Sequence, residues 1–311
     1  MNPYILLVFS VLFAASNNLL LHRFGNRGLD GARGLFLFNS LVSVVWSVLL
    51  FGYGIISGTL GLHPEAMLWG IAYGTVTALF LLCKMQAMST GPVSLTSFIG
   101  CASLLVSTGF GVVVLHEGAS VIQMTGVLTL IIALFLVISP KGGKADKKWM
   151  IWCAAFFMCS AAVGIIFKLF GRSAQAEKVD TMMLTAAVWS AVLFAAGAIA
   201  AAVSGRGKRG RDGPETKFIF PREAIIYVLA CGVVSCLYNR LNISLAGMLP
   251  SVVFFPVFNG SVILISTLAG VFAFREKLRG CQIVGISVGV FALILTSGSA
   301  DTIISQLFLK G

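Results

Sequence analysis

Ten stretches of this chain are apolar for about the length that crosses a bilayer core of roughly 30 Å, about 20 residues each as helix. They cover 3–21, 34–56, 66–88, 93–115, 120–138, 149–171, 181–203, 224–247, 250–273 and 281–298. Turn-forming residues separate them, among them Gly91-Pro92, Pro140-Lys141-Gly142-Gly143 and Gly213-Pro214. Only helices and closed barrels satisfy their backbone hydrogen bonds in lipid, and the strict alternation of a barrel strand is absent. The expected fold is therefore an all-α integral membrane protein with ten transmembrane helices. Composition agrees, since 58% of the 311 residues are hydrophobic and 11% charged, where soluble domains carry about 25% charge.

The first run has no basic segment before it and no small-x-small site after it, so it reads as a retained helix and not as a signal peptide. Seven cysteines fall in or beside the runs without a CxxC pair, which fits reduced packing residues. The net charge of +11 has its densest patch at 205–213 (GRGKRGRDG), between two apolar runs and without interleaved aromatics. That is the pattern of a cytoplasmic anchor loop, and no nucleic-acid partner is expected.

One sentence is written twice. LVSTGFGVVVLHEG (105–118) returns as LISTLAGVFAFREK (264–277), and a gapless comparison of 105–138 with 264–297 gives 11 identities in 34 positions, including Glu117/Glu276, Gln123/Gln282 and Gly126/Gly285. A shorter echo joins HRFG (22–25) to KLFG (168–171). The fourth and fifth runs thus match the ninth and tenth. Mates five crossings apart traverse the membrane in opposite directions, so the two halves form an inverted repeat, as in secondary transporters. The divisions expected are a first five-helix repeat at 1–139, a basic linker at 140–148, a second and inverted repeat at 149–298, and a short tail at 299–311.

Outside the runs, 16 Lys and Arg lie on one side and 3 on the other. The positive-inside rule places loops 140–148 and 204–223 in the cytoplasm and both termini outside, in a plasma (inner) membrane.

Polar residues within the runs mark candidate binding positions. In the eighth run, Ser235, Asn239 and Asn242 share a face, with Arg240 beside it about 7 Å from the helix middle. The ninth run holds Pro256, a candidate hinge because it removes one backbone hydrogen bond, with Asn259 beyond it. The third run places Tyr73, Thr77 and Lys84 on one face, and the first contributes Ser10 and Asn17. Packing and hydrogen bonding between helices account for several of these positions as well as substrate binding does. The GxxxG spacings at 70–74 and 285–289 read as close helix packing. All eleven acids sit at helix ends or in loops. No acid partner is therefore expected for Arg240 or Lys84, and an anionic or zwitterionic substrate would supply one. Arg240 would hold it by its two-pronged fork, with Lys84 as a weaker contact. Glu117 and Glu276 are expected to bond the N-terminus of the helix that follows each.

These residues resemble the drug/metabolite transporter superfamily in its ten-helix EamA-type branch. The likeness rests on QAMSTGPVSLTS (86–97), the glutamate followed by QMTGVLTLIIAL (123–134), LAGMLPSVVFFPVFNG (245–260) and REKLRGCQIVGISVGVFAL (275–293). It implies a bundle with a central cavity and alternating access to a small metabolite. Ten-helix relatives keep both termini in the cytoplasm, opposite to the charge count here. The small four-helix relatives carry a glutamate in their first helix, which this chain lacks.

The expected function is transmembrane transport by alternating access, secondary active or facilitative, of a small polar metabolite, anionic or zwitterionic, for example amino-acid-like. The alternatives are a lipid flippase or a drug exporter on the same fold, and more remotely a membrane enzyme or scaffold. HExxH, G-x-S-x-G and P-loop patterns are absent, so no catalytic residue, metal or cofactor is assigned. Partners are the small-molecule substrate, the lipid bilayer and a coupling ion, proton or other, that the sequence does not name. The chain is expected to work as a monomer or homodimer.

Overall fold

Helices form where the apolar runs lie, because a run of Leu, Val, Ile, Phe and Ala can leave water only as a helix with its own backbone satisfied. The computed structural model describes residues 2–25, 31–90, 93–138, 146–208, 222–274 and 280–296. It is all-α over these residues: α1 (Pro3–Gly25), α2 (Gly31–Ser57), α3 (Pro64–Thr90), α4 (Val93–Ala102), α5 (Leu104–Val113), α6 (Val121–Ile138), α7 (Lys147–Arg172), α8 (Val179–Lys208), α9 (Arg222–Met248), α10 (Ser251–Phe274) and α11 (Gly280–Thr296). Helices α4 and α5 continue one another through Ser103, whose backbone stays α-helical, so the expected ten helices are present, one of them interrupted. At the interruption the Ser103 hydroxyl donates to the Ser160 hydroxyl of α7 (2.6 Å) and lies 2.7 Å from the Gly100 carbonyl.

Among the described residues, seven helices are long and apolar enough to cross a membrane, and three shorter apolar ones lie at Ile99–Val113, Val121–Val137 and Gly280–Thr296. Large apolar side chains such as Ile56, Ile151, Ile199 and Ile226 are exposed. In water each would be a liability; facing lipid they cost nothing. The chain is a multi-pass membrane protein. Residues 139–145 and 209–221, Glu276 and the 297–311 tail, on which several expectations rest, lie outside the described residues.

The chain divides into two compact units, one of Met1–Ala15, Leu79–Ala176 and Leu241–Gly311, the other of Ser16–Ala78 and Glu177–Arg240. In the first unit α6 packs against α11 through glycines. A side chain at Gly126 would strike Leu295 and Thr296, and one at Gly285 would strike Leu136 and Val137. The helices are therefore antiparallel, and the two contacts exchange places under the 159-residue offset. Leu104, Val127, Leu130, Leu134, Val252, Val253 and Ala292 fill the space beside them. In the second unit α2 packs against α8, with the Ser40 hydroxyl donating to the Ala191 carbonyl (3.0 Å) and Gly197 beside the Phe36 ring. Gly70 and Gly74 bring α3 against α8: an added Cβ would lie 2.5 Å from the Met182 carbonyl and 2.9 Å from that of Ala186. The 70–74 spacing is thus a packing device.

Candidate functional site

Each unit carries its own polar cluster. In the second unit, α9 is the organiser. Asn239 is buried and accepts from the Tyr73 hydroxyl of α3 through Oδ1 (2.9 Å), while its Nδ2 donates to the Ser235 carbonyl one turn back (2.9 Å). The Ser235 hydroxyl donates to Oδ1 of Asn17 on α1 (3.3 Å). The i, i+4 spacing that put Ser235 and Asn239 on one face thus links α9 to two helices. Thr77 lies one turn beyond Tyr73 with its hydroxyl buried.

Arg240 overturns an expectation. Asp180, buried at the start of α8, takes its Nε at 2.7 Å and its Nη2 at 3.3 Å. The Tyr53 hydroxyl of α2 lies 3.4 Å from Nη2, and the guanidinium carbon sits 4.8 Å from the Tyr53 ring centroid. Arg240 therefore has an acid partner inside the protein, held by the fork geometry that an incoming carboxylate was expected to exploit. Asp180 sits at a helix edge by sequence, and Arg240, 60 residues away on α9, reaches it there with two donors.

In the first unit, the Ser10 hydroxyl of α1 donates to Asn242 Oδ1 (2.7 Å). On α10, Pro256 lies inside the helix and cannot donate to the Val252 carbonyl. Asn259 donates its Nδ2 to the Phe255 carbonyl on its own helix (2.9 Å). Lys84 on α3 is half-buried, its Nζ 5.9 Å from the Phe80 ring centroid. Phe80 in turn meets Phe156 of α7 at 5.1 Å between centroids and 47° between planes.

The same unit holds a charged knot that the sequence reading did not assemble. Lys168, on α7, is almost wholly buried and bonds Glu117 Oε1 at 2.7 Å and the Leu249 carbonyl at 2.6 Å. Arg172, one turn later, reaches the same Oε1 at 3.0 Å and the Leu115 carbonyl at 3.2 Å. Glu117 Oε2 accepts from the Ser251 backbone N–H at 2.6 Å. Burial pushes the Glu117 carboxyl up, but the Lys168 hydrogen bond and charge and the Ser251 N–H outweigh it and hold it below the usual carboxylate range. Glu117 thus bonds the first turn of α10, and not of α6 as expected. The N-terminus of α6 is already closed by a capping box, with the Ser120 hydroxyl accepting from the Gln123 N–H and Gln123 Oε1 accepting from the Ser120 N–H, both at 3.0 Å. Gly111 makes room for the knot, since a side chain there would strike Ser251. The sequence signals were the paired glutamates and the KLFG echo, which begins at Lys168.

Among the described residues no group of three or more His, Cys, Asp or Glu is placed to hold a metal ion.

No protein-family model matches the sequence, and neither does any curated protein. Solved structures do match. One crystal structure of a protein superposes with a TM-score of 0.73 over 95% of this chain and 96% of its own, at 13% identity. At that identity the likeness concerns the fold.

Proposed function

We propose that the chain is a transmembrane transporter of a small polar metabolite, anionic or zwitterionic, on an inverted-repeat fold of the drug/metabolite transporter type. The observation that carries this reading is the antiparallel α6–α11 pair, in which Gly126 meets 295–296 and Gly285 meets 136–137. Contacts that interchange under the sequence offset are what two copies of one unit, set head to tail in a membrane, would make. The α2–α8 pair is also antiparallel and joins helices that are mates in that scheme. Inverted halves are the architecture by which secondary transporters alternate access to a site near the midplane.

Amide and hydroxyl groups on α1, α3 and α9 supply the polar chemistry such a protein needs. In each unit the described amides bond hydroxyls or carbonyls, so a substrate that engages them does so by exchanging with these bonds, while the buried Thr77 hydroxyl has no described partner. Pro256 remains the proposed hinge of α10. The charge asymmetry supports a cytoplasmic position for loops 140–148 and 204–223, with the protein in a plasma membrane. The contacts that bring Leu115, Arg172 and Ser251 to Glu117 support the alternation of crossings, because they gather the ends of α5, α7 and α9 at one level.

The test is flux. Purified protein in proteoliposomes loaded with a metabolite mixture should release or accumulate a defined subset, read by mass spectrometry against empty liposomes. No protein-dependent flux from a monodisperse, folded preparation refutes the proposal.

A further inference from the structure

Among the described residues, three cations lie within the apolar helices away from their ends: Lys84, Lys168 and Arg240. Charge in hydrocarbon demands a partner. Lys168 has Glu117 and Arg240 has Asp180. Among the described residues no carboxylate or carbonyl bonds Lys84, and its one described contact is the face of Phe80. A cation near 6 Å from a ring centroid is at the outer limit of a useful cation–π contact.

The direction of the side chain is informative. Lys84 lies about 10 Å from the middle of α3 at 1.5 Å per residue, and a snorkelling lysine would reach for the nearer end. Here Nζ sits over Phe80, one turn back toward the middle of the helix, as the N-terminal tilt of helical side chains favours. Phe80 and Lys84 are both half-buried, while Phe156 behind them is buried. Gly100 on α4 admits the Phe156 ring, since an added Cβ would lie 2.5 Å from two of its atoms. The cluster thus sets one charge beside an apolar aromatic floor.

Resting on the transport reading above, we infer that Lys84, and not Arg240, anchors the substrate, and that the substrate is a monoanionic organic acid with a flat apolar body, its carboxylate on Lys84 and its body against Phe80, which Phe156 backs. One carboxylate leaves the site neutral, whereas a dianionic phosphate would leave a net charge in the membrane. Arg240 is a structural cation whose fork is already occupied.

The probes are benzoate and 3-phenylpropionate, with 3-phenylpropanamide as the neutral isostere, bound to purified full-length protein and measured by calorimetry. At least one acid should bind, and the amide should bind about 10- to 150-fold more weakly, the range of a charge-assisted hydrogen bond. Lys84→Met should abolish that preference while binding the amide as before; Lys84→Arg should retain it. Arg240→Lys should leave the preference intact, and this variant decides the matter if Lys84→Met does not fold. Failure of both acids to bind, an equal loss of acid and amide in Lys84→Met, or a preference that disappears in Arg240→Lys overturns the inference. Flux separates it from the transport proposal. Binding that depends on Lys84 without flux would refute transport alone, and flux indifferent to Lys84 would refute this assignment alone.

Discussion

Glu117→Gln offers the sharpest test of how the first unit is held together. The side chain is isosteric, so shape is kept and only charge is lost. Lys168 is 2% exposed and loses its only described carboxylate partner. Breaking a buried pair by removing one member costs about 3–5 kcal/mol, because the survivor stays buried and charged. The Arg172 contact adds little, since that side chain is 44% exposed. At about 2–4 °C per kcal/mol, the melting midpoint should fall by roughly 6–20 °C. The assay is loss of the monodisperse size-exclusion peak after heating in detergent. A second variant, Glu117→Leu with Lys168→Met, should recover much of the loss, because no charge then remains buried; what persists is the uncapped Ser251 N–H, worth about 1 kcal/mol. The pH dependence has a definite sign. A carboxyl held below its ordinary value contributes fully above the unfolded glutamate range, about pH 4.3, and its contribution disappears as pH falls through the lower folded value. The gap between wild type and Glu117→Gln should therefore close in acid and stay constant near neutrality. A midpoint shift under about 3 °C at pH 7, or a double variant weaker than the single one, would mean that Lys168 is stabilised by something other than Glu117.

Arg240→Ala should cost about 1–3 kcal/mol of stability, less than a fully buried pair because the Arg240 side chain is 37% exposed, and Asp180→Asn should cost a similar amount; additivity of the two in a double-mutant cycle would contradict the pairing. Pro256→Ala restores the N–H to the Val252 carbonyl and should slow transport while leaving thermal stability equal or higher; unchanged transport kinetics would reduce Pro256 to a packing residue. A phosphatase fused after Gly311 should be active in the periplasm of a Gram-negative host, as the 16-to-3 charge asymmetry requires, and a fluorescent cytoplasmic reporter at the same site would reverse the orientation.

The helices were legible because burial in lipid and intrahelical bonding act on each run separately. The run at 66–88 needs no knowledge of its neighbours to become α3. Glycine pairs were legible for a related reason: Gly126 and Gly285 recur at one offset, and small residues permit close backbone approach wherever they face a partner. The polar residues were legible as a set but not as a network. Periodicity placed Ser235, Asn239 and Asn242 on α9, yet whether an amide turns to Tyr73, to Ser10 or to a ligand depends on the rotation of other helices. Asn259 shows the limit in the other direction, since its amide donates to its own helix at Phe255.

Asp180 is the instructive error. Counted by its distance from the middle of the run at 181–203, it belongs to the interface, where an acid is solvated and unremarkable. Its depth in the protein is set by something the run does not contain, the position of Arg240 on α9, which lies 60 residues away and reaches it with two donors. The consequence extends beyond one ion pair. A cation without a partner is a claim about every acid in the molecule, so a single missed carboxylate transfers the claim to another residue. With Asp180 paired to Arg240 and Glu117 to Lys168, Lys84 is the described membrane cation to which the described residues offer an aromatic face and no opposite charge.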